Sequence, residues 1–214
     1  MHNPAKIKKI SEEIDKKFGL KIKSDKIYVR VLFTEAKKRY CGLLPDGRLD
    51  IVGLEVVRGD WAEVAKNVQG RVLEIILKEQ KPKKAVKCVR QYISDLREKR
   101  VSYRNLIIWK TLTKPIEKYA VRAPHVEAAR TLMKEGWDLS VGDKIGYVIV
   151  AGPGRLYEKA KPYVLASYDE VDLEYYISRQ IVPAASQILA MFGVTEEELL
   201  PSKRPKTLLE FMED

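Results

Sequence analysis

The spacing of apolar residues changes near residue 60, and this change constrains the fold more than any other feature. Before it, apolar side chains alternate or form short blocks, and the turn sequence Pro-Asp-Gly at 45–47 separates two of the blocks. Such a pattern predicts strands and a hairpin. After it, Val64, Val68 and Val72 recur at the spacing of a helix face. The sequence therefore predicts an α+β chain in which a small β-rich part precedes a mainly helical one.

The same patterns give approximate bounds for individual elements. Glycine or proline near several predicted ends supports them, because glycine closes helices and proline begins or bends them. Asp60 followed by Glu63 predicts a capping box at the first long helix of the second part. The predicted elements are a helix over 5–18, two strands around 24–26, a hairpin of 40–44 with 48–53, helices from 60 and after 82, an extended stretch over 106–109, a helix over 125–134, a strand over 144–150, a helix over 173–192 bent at Pro183, and a turn capped by Thr195 and Glu198.

The formal net charge of +10 favours a polyanionic partner. Ribosomal and membrane-surface proteins share such a balance, so the distribution of charge along the chain is more informative. Residues 1–40 hold 12 basic and 5 acidic side chains, whereas residues 169–214 hold 4 basic and 10 acidic ones. We therefore expect a nucleic acid to contact the N-terminal and middle parts of the chain.

Cysteine and histidine are scarce, which argues against several kinds of site. The two cysteines, Cys41 and Cys88, are too few and too far apart for a disulfide framework or a zinc knuckle. The two histidines, His2 and His125, make a histidine metal site improbable. No apolar run approaches the ~20 residues that span a bilayer, and the Lys-rich N-terminus lacks the apolar core of a secretory signal. The sequence predicts a cytoplasmic protein without a membrane span.

A basic tetrad is the first candidate binding motif, made of Lys37, Lys38, Arg39 and Tyr40. Cations neutralise phosphates and release counterions, while a tyrosine ring can pack on a sugar or a base. Taken alone, such a run is also typical of a solvated surface. The apolar segment at 53–61 follows it and includes Arg58 and Asp60. Arg58 can reach a phosphate, whereas Asp60 is explained equally well as a helix cap.

A second candidate segment lies between residues 113 and 125. It offers a hydroxyl donor, a cation, an aromatic ring and a histidine at the start of a predicted helix, where backbone amides favour phosphate. These residues are Thr113, Lys114, Tyr119 and His125.

These segments, in this order and at these distances, resemble the junction of palm and thumb in archaeal family B DNA polymerases. The similarity extends from about residue 7 to the tail. It implies C-terminal palm strands over 1–55, a thumb domain over 56–200 and a flexible tail over 201–214. It also implies that the tetrad holds the primer–template duplex on its minor-groove side and that the segments with Arg58, Asp60 and residues 113–125 follow the duplex backbone. For Asp25, in the β-rich part, the resemblance implies an auxiliary catalytic carboxylate, although an exposed turn residue explains it equally well.

The tail resembles a peptide that binds a sliding clamp. Leu208, Phe211 and Met212 match the aliphatic residue and the two bulky residues of such peptides. Pro205 stands where the usual glutamine would be, and Met212 replaces the second aromatic residue. An ordinary amphipathic turn is the alternative explanation for this spacing.

Family members carry hundreds of residues before the tetrad, including the catalytic aspartates, whereas 36 residues precede it here. The family's Asp-Thr-Asp motif is absent from this sequence. The resemblance therefore implies the small subunit of a split polymerase, inactive by itself. A large subunit would hold Mg²⁺ and supply the carboxylates of a two-metal site, and the β edge around 20–52 would dock on it.

Three alternatives remain open at this point. The chain could be a stand-alone accessory protein that binds duplex DNA or a clamp, which predicts a folded protein with no exposed β edge. It could be a basic RNA-binding or ribosomal protein, which predicts a preference for structured RNA. It could also be one part of an undivided polymerase.

Overall fold

The computed structural model describes residues 4–23 and 25–200. Two helical stretches contain π-helical turns, over Ile75–Glu79 and over Ile177–Ile181. The helices and strands are α1 (Pro4–Phe18), β1 (Arg30–Phe33), β2 (Tyr40–Leu43), β3 (Leu49–Val52), α2 (Glu63–Glu74), α3 (Pro82–Arg97), β4 (Ile108–Thr111), α4 (Pro124–Lys134), β5 (Lys144–Ile149), β6 (Ala160–Pro162), α5 (Leu173–Tyr176), α6 (Val182–Leu189) and α7 (Glu196–Leu199).

The first three strands form an antiparallel sheet in the order β1-β2-β3. The predicted hairpin is confirmed, with Tyr40 opposite Val52 and Leu43 opposite Leu49. Leu32 and Cys41 point into the core as direct partners across the first pair of strands. This sheet is the small β-rich part that the change of period predicts, so the α+β fold class is confirmed.

The prediction of two strands around 24–26 is wrong in part. One strand forms, β1, and Val29 extends its pairing by donating its backbone N–H to the Leu43 carbonyl at 2.7 Å. The described residues before Val29 form no strand, and Leu20 and Ile22 are exposed. An extended segment needs a neighbouring strand edge for its backbone hydrogen bonds, and none of the described residues supplies one here.

The helical part is organised around α2. Val64, Val68 and Val72 are fully buried, as their spacing predicts, because α2 packs against both α3 and α6. From α3, Val89 and Ile93 complete the same core. None of the helices in the described part of the chain combines the length and the apolar composition that crossing a bilayer requires.

A second antiparallel sheet, in the order β4-β5-β6, lies beside α4. The extended stretch predicted over 106–109 overlaps β4 at Ile108 and Trp109, while Leu106 ends a 3₁₀ turn; the strand predicted over 144–150 forms as β5. The third strand, β6, was not predicted, because Ala160–Pro162 is too short to show a period. Gly146 in β5 lies under the rings of Trp109 and Tyr163: a Cβ atom on this glycine would lie 2.8 Å from ring carbons of both.

The predicted cap of α2 is wrong. The helix begins at Glu63 after Ala62, and Asp60 makes no capping hydrogen bond. The Ala62 N–H instead donates to the side-chain oxygen of Gln180, at 3.1 Å, from the π-helical turn before α6. A distant part of the chain therefore satisfies the backbone group that the local sequence was expected to satisfy.

The C-terminal helix follows its predicted course. Pro183 lies in the first turn of α6, directly after the π-helical turn, where its missing N–H is accommodated. Gly193 then ends the helix with φ +76°. Thr195 and Glu198 form the predicted capping box before α7. The division into parts at residues 55 and 200 stays a prediction, and residues 201–214 lie outside the described residues.

Gly53 is the glycine on which the basic tetrad depends most directly. Its φ is +67°, and a Cβ atom there would lie 2.4 Å from the Lys38 carbonyl oxygen. Gly53→Ala is therefore expected to lower the free energy of unfolding by about 2–3 kcal/mol, from left-handed strain and the backbone clash together. Urea denaturation measures this as a lower midpoint at unchanged slope.

The matched control is Gly70→Ala in α2, where φ is ordinary and the nearest atom to the new Cβ is Val56 Cγ2 at 3.9 Å. A glycine inside a helix costs about 0.5–1 kcal/mol relative to alanine, so this variant should keep or gain stability. Equal losses in both variants would contradict the role given to Gly53.

Candidate nucleic-acid interface

The tetrad lies at the turn that leads from β1 into β2. Lys38 has φ +60°, a left-handed conformation that is uncommon outside glycine, and the backbone of Gly53 packs against it. Lys37 and Lys38 are exposed, and neither has a hydrogen-bond or ion-pair partner among the described residues. These two ammonium groups are therefore available to phosphates.

Arg39, by contrast, points towards the interior. Its guanidinium pairs with the Glu55 carboxylate at 3.3 Å, and Glu55 is 3% exposed. Gln69 of α2 donates to the other Glu55 oxygen at 2.6 Å and to the Ala184 carbonyl of α6 at 2.9 Å. The Gln69 oxygen in turn accepts from the Val56 N–H at 2.9 Å. We call these four polar groups, from Arg39, Glu55, Gln69 and the Ala184 carbonyl, the Glu55 network.

Tyr40 belongs to a cluster of aromatic rings on the first sheet. Its ring lies 6.2 Å from that of Tyr28 and 5.7 Å from that of Phe33. The Tyr28 hydroxyl donates to Asp50, which also binds Lys26 at 2.9 Å. Both hydrogen bonds, that from Tyr28 first, hold the pKa of the Asp50 carboxyl below its usual range. Tyr40 is thus held by neighbouring rings and stays partly open to solvent.

Arg58 and Asp60 form a bidentate pair in front of α2. Arg58 Nε and Nη2 lie 3.1 Å from the two Asp60 oxygens, and Lys110 Nζ of β4 lies 3.3 Å from one of them. The hydrogen bond from Arg58 is the main reason why the pKa of Asp60 is lowered, with the charge of Lys110 adding to it. A single carboxylate therefore holds two cations side by side, a role that the sequence does not indicate.

These three residues border an open groove of about 740 Å³ between the start of α2 and the second sheet. Its basic side chains outnumber the single carboxylate by four to one. The full lining is Arg58, Gly59, Asp60, Lys66, Trp109, Lys110, Thr111, Thr113 and Lys144. Such a charge balance favours a phosphate-bearing ligand. We refer to this surface as the Trp109 groove.

The second predicted segment forms a compact cluster next to this groove. The Tyr119 hydroxyl accepts from the Thr113 N–H at 2.9 Å, and Lys114 Nζ lies 4.8 Å from the centre of the Tyr119 ring. The His125 ring meets the same tyrosine edge-on at 5.6 Å. Hydrogen bonding to Thr113 lowers the pKa of Tyr119, and burial lowers that of His125. His125 is therefore neutral at pH 7 and can offer a hydrogen bond but no charge.

Asp25 belongs to no cluster of metal-binding side chains among the described residues. It is exposed, and its charge acts on the neighbouring Lys26. Within residues 4–23 and 25–200, no group of three or more His, Cys, Asp or Glu side chains could hold a metal ion. The described residues therefore do not fit a magnesium site. The tail residues Leu208, Phe211 and Met212 lie outside the described residues.

The structure thus assembles some of the predicted site residues and separates others. Arg58, Asp60 and Thr113 share the Trp109 groove, and the cluster around Tyr119 adjoins it through Thr113. The tetrad belongs to the first sheet instead. Sequence reasoning missed the lining residues Lys66, Trp109, Lys110 and Lys144. For Trp109, Lys110 and Lys144 the signal is the pairing of β4 with β5, and for Lys66 it is the packing of α2 beside that sheet; a single sequence specifies neither.

Comparisons with known proteins place these observations in a family. Residues 5–192 match the model of DNA polymerase family B. DNA polymerase 2 of Aeropyrum pernix is 50% identical over 99% of this chain and 26% of its own length. A DNA polymerase of Archaeoglobus fulgidus is 38% identical over 92% and 27%. The solved family B DNA polymerase of Pyrobaculum calidifontis is 43% identical with a TM-score of 0.72, over 91% of this chain and 25% of that one. The chain thus spans about a quarter of the length of these relatives.

The opposite orientations of Arg39 and Lys37 lead to a prediction. Arg39→Ala leaves the buried Glu55 carboxylate without its cation, so we expect the free energy of unfolding to fall by about 2–4 kcal/mol. Lys37→Ala removes an exposed side chain without a partner among the described residues, so it should change the free energy of unfolding by no more than about 0.5 kcal/mol. Adding Glu55→Gln to Arg39→Ala should recover part of the loss, because the unpaired charge is gone. Equal stability of Arg39→Ala and Lys37→Ala in urea denaturation would contradict the Glu55 network.

Proposed function

Because the chain belongs to DNA polymerase family B, we propose that it is the duplex-holding subunit of a DNA-directed DNA polymerase. A second, larger polypeptide would supply the catalytic carboxylates. The observation that carries the proposal is the exposure of Lys37 and Lys38, held in a fixed turn by the backbone of Gly53 and free of partners among the described residues. Such a role places the chain in the cytoplasm, with the primer–template DNA that it would hold.

The available cations and donors support binding to a phosphate backbone. Lys37 and Lys38 offer point charges, and the rim of the Trp109 groove offers the paired cations Arg58 and Lys110. Thr113, Lys114, Tyr119 and His125 add neutral donors and one further ammonium group beside it. Contacts of this kind fix the position of a duplex without reading its sequence.

An exposed apolar face supports a large protein partner. Seven of the large apolar side chains that are exposed in the described residues lie between residues 10 and 33, and Phe33 is 62% exposed. They are Ile10, Phe18, Leu20, Ile22, Val29, Val31 and Phe33. β1 also leaves one edge unpaired among the described residues. Exposed apolar side chains concentrated in one segment, together with an open strand edge, are typical of a region that another protein covers. We propose that the catalytic palm of the large subunit covers it.

Family B polymerases use divalent metal ions, and the described residues of this chain do not form a site for one. We propose that the large subunit holds Mg²⁺. The chain's own contribution would be orientation: by binding the duplex it keeps the primer end in place, and correct placement of reactants contributes a large share of many rate enhancements. The chain without its partner is then expected to be inactive.

A stand-alone duplex-binding accessory protein is the second candidate. The same cations support it, since holding DNA requires no catalytic partner. The apolar face over residues 10–33 favours the subunit, because an accessory protein that acts alone would leave this face in water.

Binding of duplex DNA tests the proposal. Lys37→Ala and Lys38→Ala should each weaken binding regardless of sequence, and the slope of log K against log salt should become shallower by about 0.9 for each lost phosphate contact. Fluorescence anisotropy with a blunt-ended hairpin duplex over a range of salt concentrations measures this slope. Lys134→Ala, an exposed lysine at the far end of α4 from His125, is the matched control and should leave the slope unchanged. Unchanged slopes in all three variants would contradict the assignment.

Clamp binding by the tail is proposed from its sequence. Leu208, Phe211 and Met212 have the spacing of an aliphatic residue and two bulky residues that fill one apolar pocket. Replacing Leu208 and Phe211 together by alanine should weaken binding to the clamp by at least about 30-fold, as loss of buried anchor residues does. Surface plasmon resonance with immobilised clamp measures the effect. Duplex affinity should not change, and a loss of both activities would contradict the tail assignment.

A further inference from the structure

Trp109 is an aromatic side chain that the proposed duplex contacts do not use. It is 40% exposed, although tryptophan is usually well buried, and it lines the Trp109 groove. Its position on β4, directly opposite Gly146 on β5, explains the exposure. The missing side chain of Gly146 lets the indole lie across the neighbouring strand, where Tyr163 contacts it with ring centres 5.3 Å apart. The ring is thus fixed on one side and open on the other.

The register of the second sheet places basic and polar groups beside this ring. Thr111 and Lys144 are direct partners across β4 and β5, and they lie on the same face as Trp109 and Gly146. Lys144 is exposed and has no ion-pair partner among the described residues. On the other side of the groove, Asp60 holds Arg58 and Lys110 in place. Cations therefore flank a rigid aromatic surface.

We propose that the Trp109 groove binds a single-stranded segment of nucleic acid, with an unpaired base stacked on Trp109 and its phosphate near Lys144. Base–aromatic stacking combined with a basic groove is the general means by which proteins hold single strands without sequence preference. A paired base inside a duplex has both faces covered by its neighbours, so an aromatic platform selects unpaired nucleotides. The groove, at about 740 Å³, has room for a nucleotide.

This inference rests on the proposed function insofar as DNA is the ligand, but it assigns a different form of DNA to a neighbouring part of the surface. The tetrad, with Arg58 and Lys110 at the rim of the groove, would hold duplex, and the strand face of the groove, with Trp109 and Lys144, would hold unpaired nucleotides next to it. A polymerase subunit with both sites would bind a junction of duplex and single strand more tightly than either form alone, by the effective concentration that linkage provides.

Anisotropy measurements with two labelled probes test the inference: a thymidine oligonucleotide and a blunt-ended duplex of two complementary strands, which has no unpaired loop. Trp109→Ala should weaken binding of the oligonucleotide on the order of tenfold, the effect of losing one stacked base, and should leave duplex binding unchanged. Trp109→Phe should retain most of the affinity, because it keeps an aromatic face. Trp137→Ala is the matched control, since Trp137 is 51% exposed and lies outside the groove; it should change neither affinity.

Intrinsic fluorescence gives a second readout that does not depend on Trp109→Ala folding correctly. The oligonucleotide should quench tryptophan emission in the unmodified chain and in Trp137→Phe, and the quenching should disappear in Trp109→Phe. Lys144→Ala should make the salt dependence of oligonucleotide binding shallower by about 0.7, the value for one phosphate on a single strand.

Three results would overturn the inference. They are equal losses for oligonucleotide and duplex in Trp109→Ala, no loss for either, or quenching that persists in Trp109→Phe. Duplex binding that depends on Lys37 and Lys38 would survive each of these results. A different result would overturn the proposed function and leave the single-strand site in place. In that result Lys37→Ala and Lys38→Ala would not change duplex binding, while Trp109→Ala would still weaken oligonucleotide binding.

Discussion

A buried carboxylate, Glu55, connects the two parts of this molecule. It pairs with Arg39 from the first sheet and accepts from Gln69 of α2, which also binds the Ala184 carbonyl of α6. Burying a charge is costly unless every partner is present, so the network specifies one arrangement of sheet and helices. The position of Lys37 and Lys38 depends on it, because Arg39 ties their turn to the helical core. One member of the basic tetrad thus serves the structure while its neighbours stay available to DNA.

Two glycines allow the close contacts that shape the candidate binding surfaces. Gly53, directly after β3, lets the backbone lie against the Lys38 carbonyl, and Gly146 lets Trp109 cross β5. At both places a side chain of any size would displace a candidate binding residue. Asp60 also fixes candidate binding residues, because its carboxylate holds Arg58 and Lys110 at the rim of the Trp109 groove. The surfaces proposed to meet DNA are thus set before DNA arrives, which lowers the entropic cost of binding.

Sequence patterns predicted those features that depend on neighbours within one element. The stripe of Val64, Val68 and Val72 and the hairpin around 45–47 were found because periodicity and turn residues are local signals. The cap of α2 was not, since Gln180 reaches Ala62 from far along the chain. For the same reason the sequence did not indicate that Arg39 points inward, because this depends on the Glu55 carboxylate 16 residues away. It did not indicate the exposed ring of Trp109 either, because this depends on the register of β4 and β5. The family resemblance identified the motifs and their order. Tertiary packing determines which of their side chains are exposed and which are held in contacts within the protein.

The central claim is that this chain holds DNA for a catalytic site on another polypeptide. Primer extension with magnesium and deoxynucleotides tests it most directly, using this chain alone, the large family B polypeptide from the same genome alone, and the two mixed. We expect no synthesis by this chain and processive synthesis in the mixture. If the large polypeptide extended primers equally far without this chain, the account would be contradicted, and the chain would be a separate DNA-binding accessory.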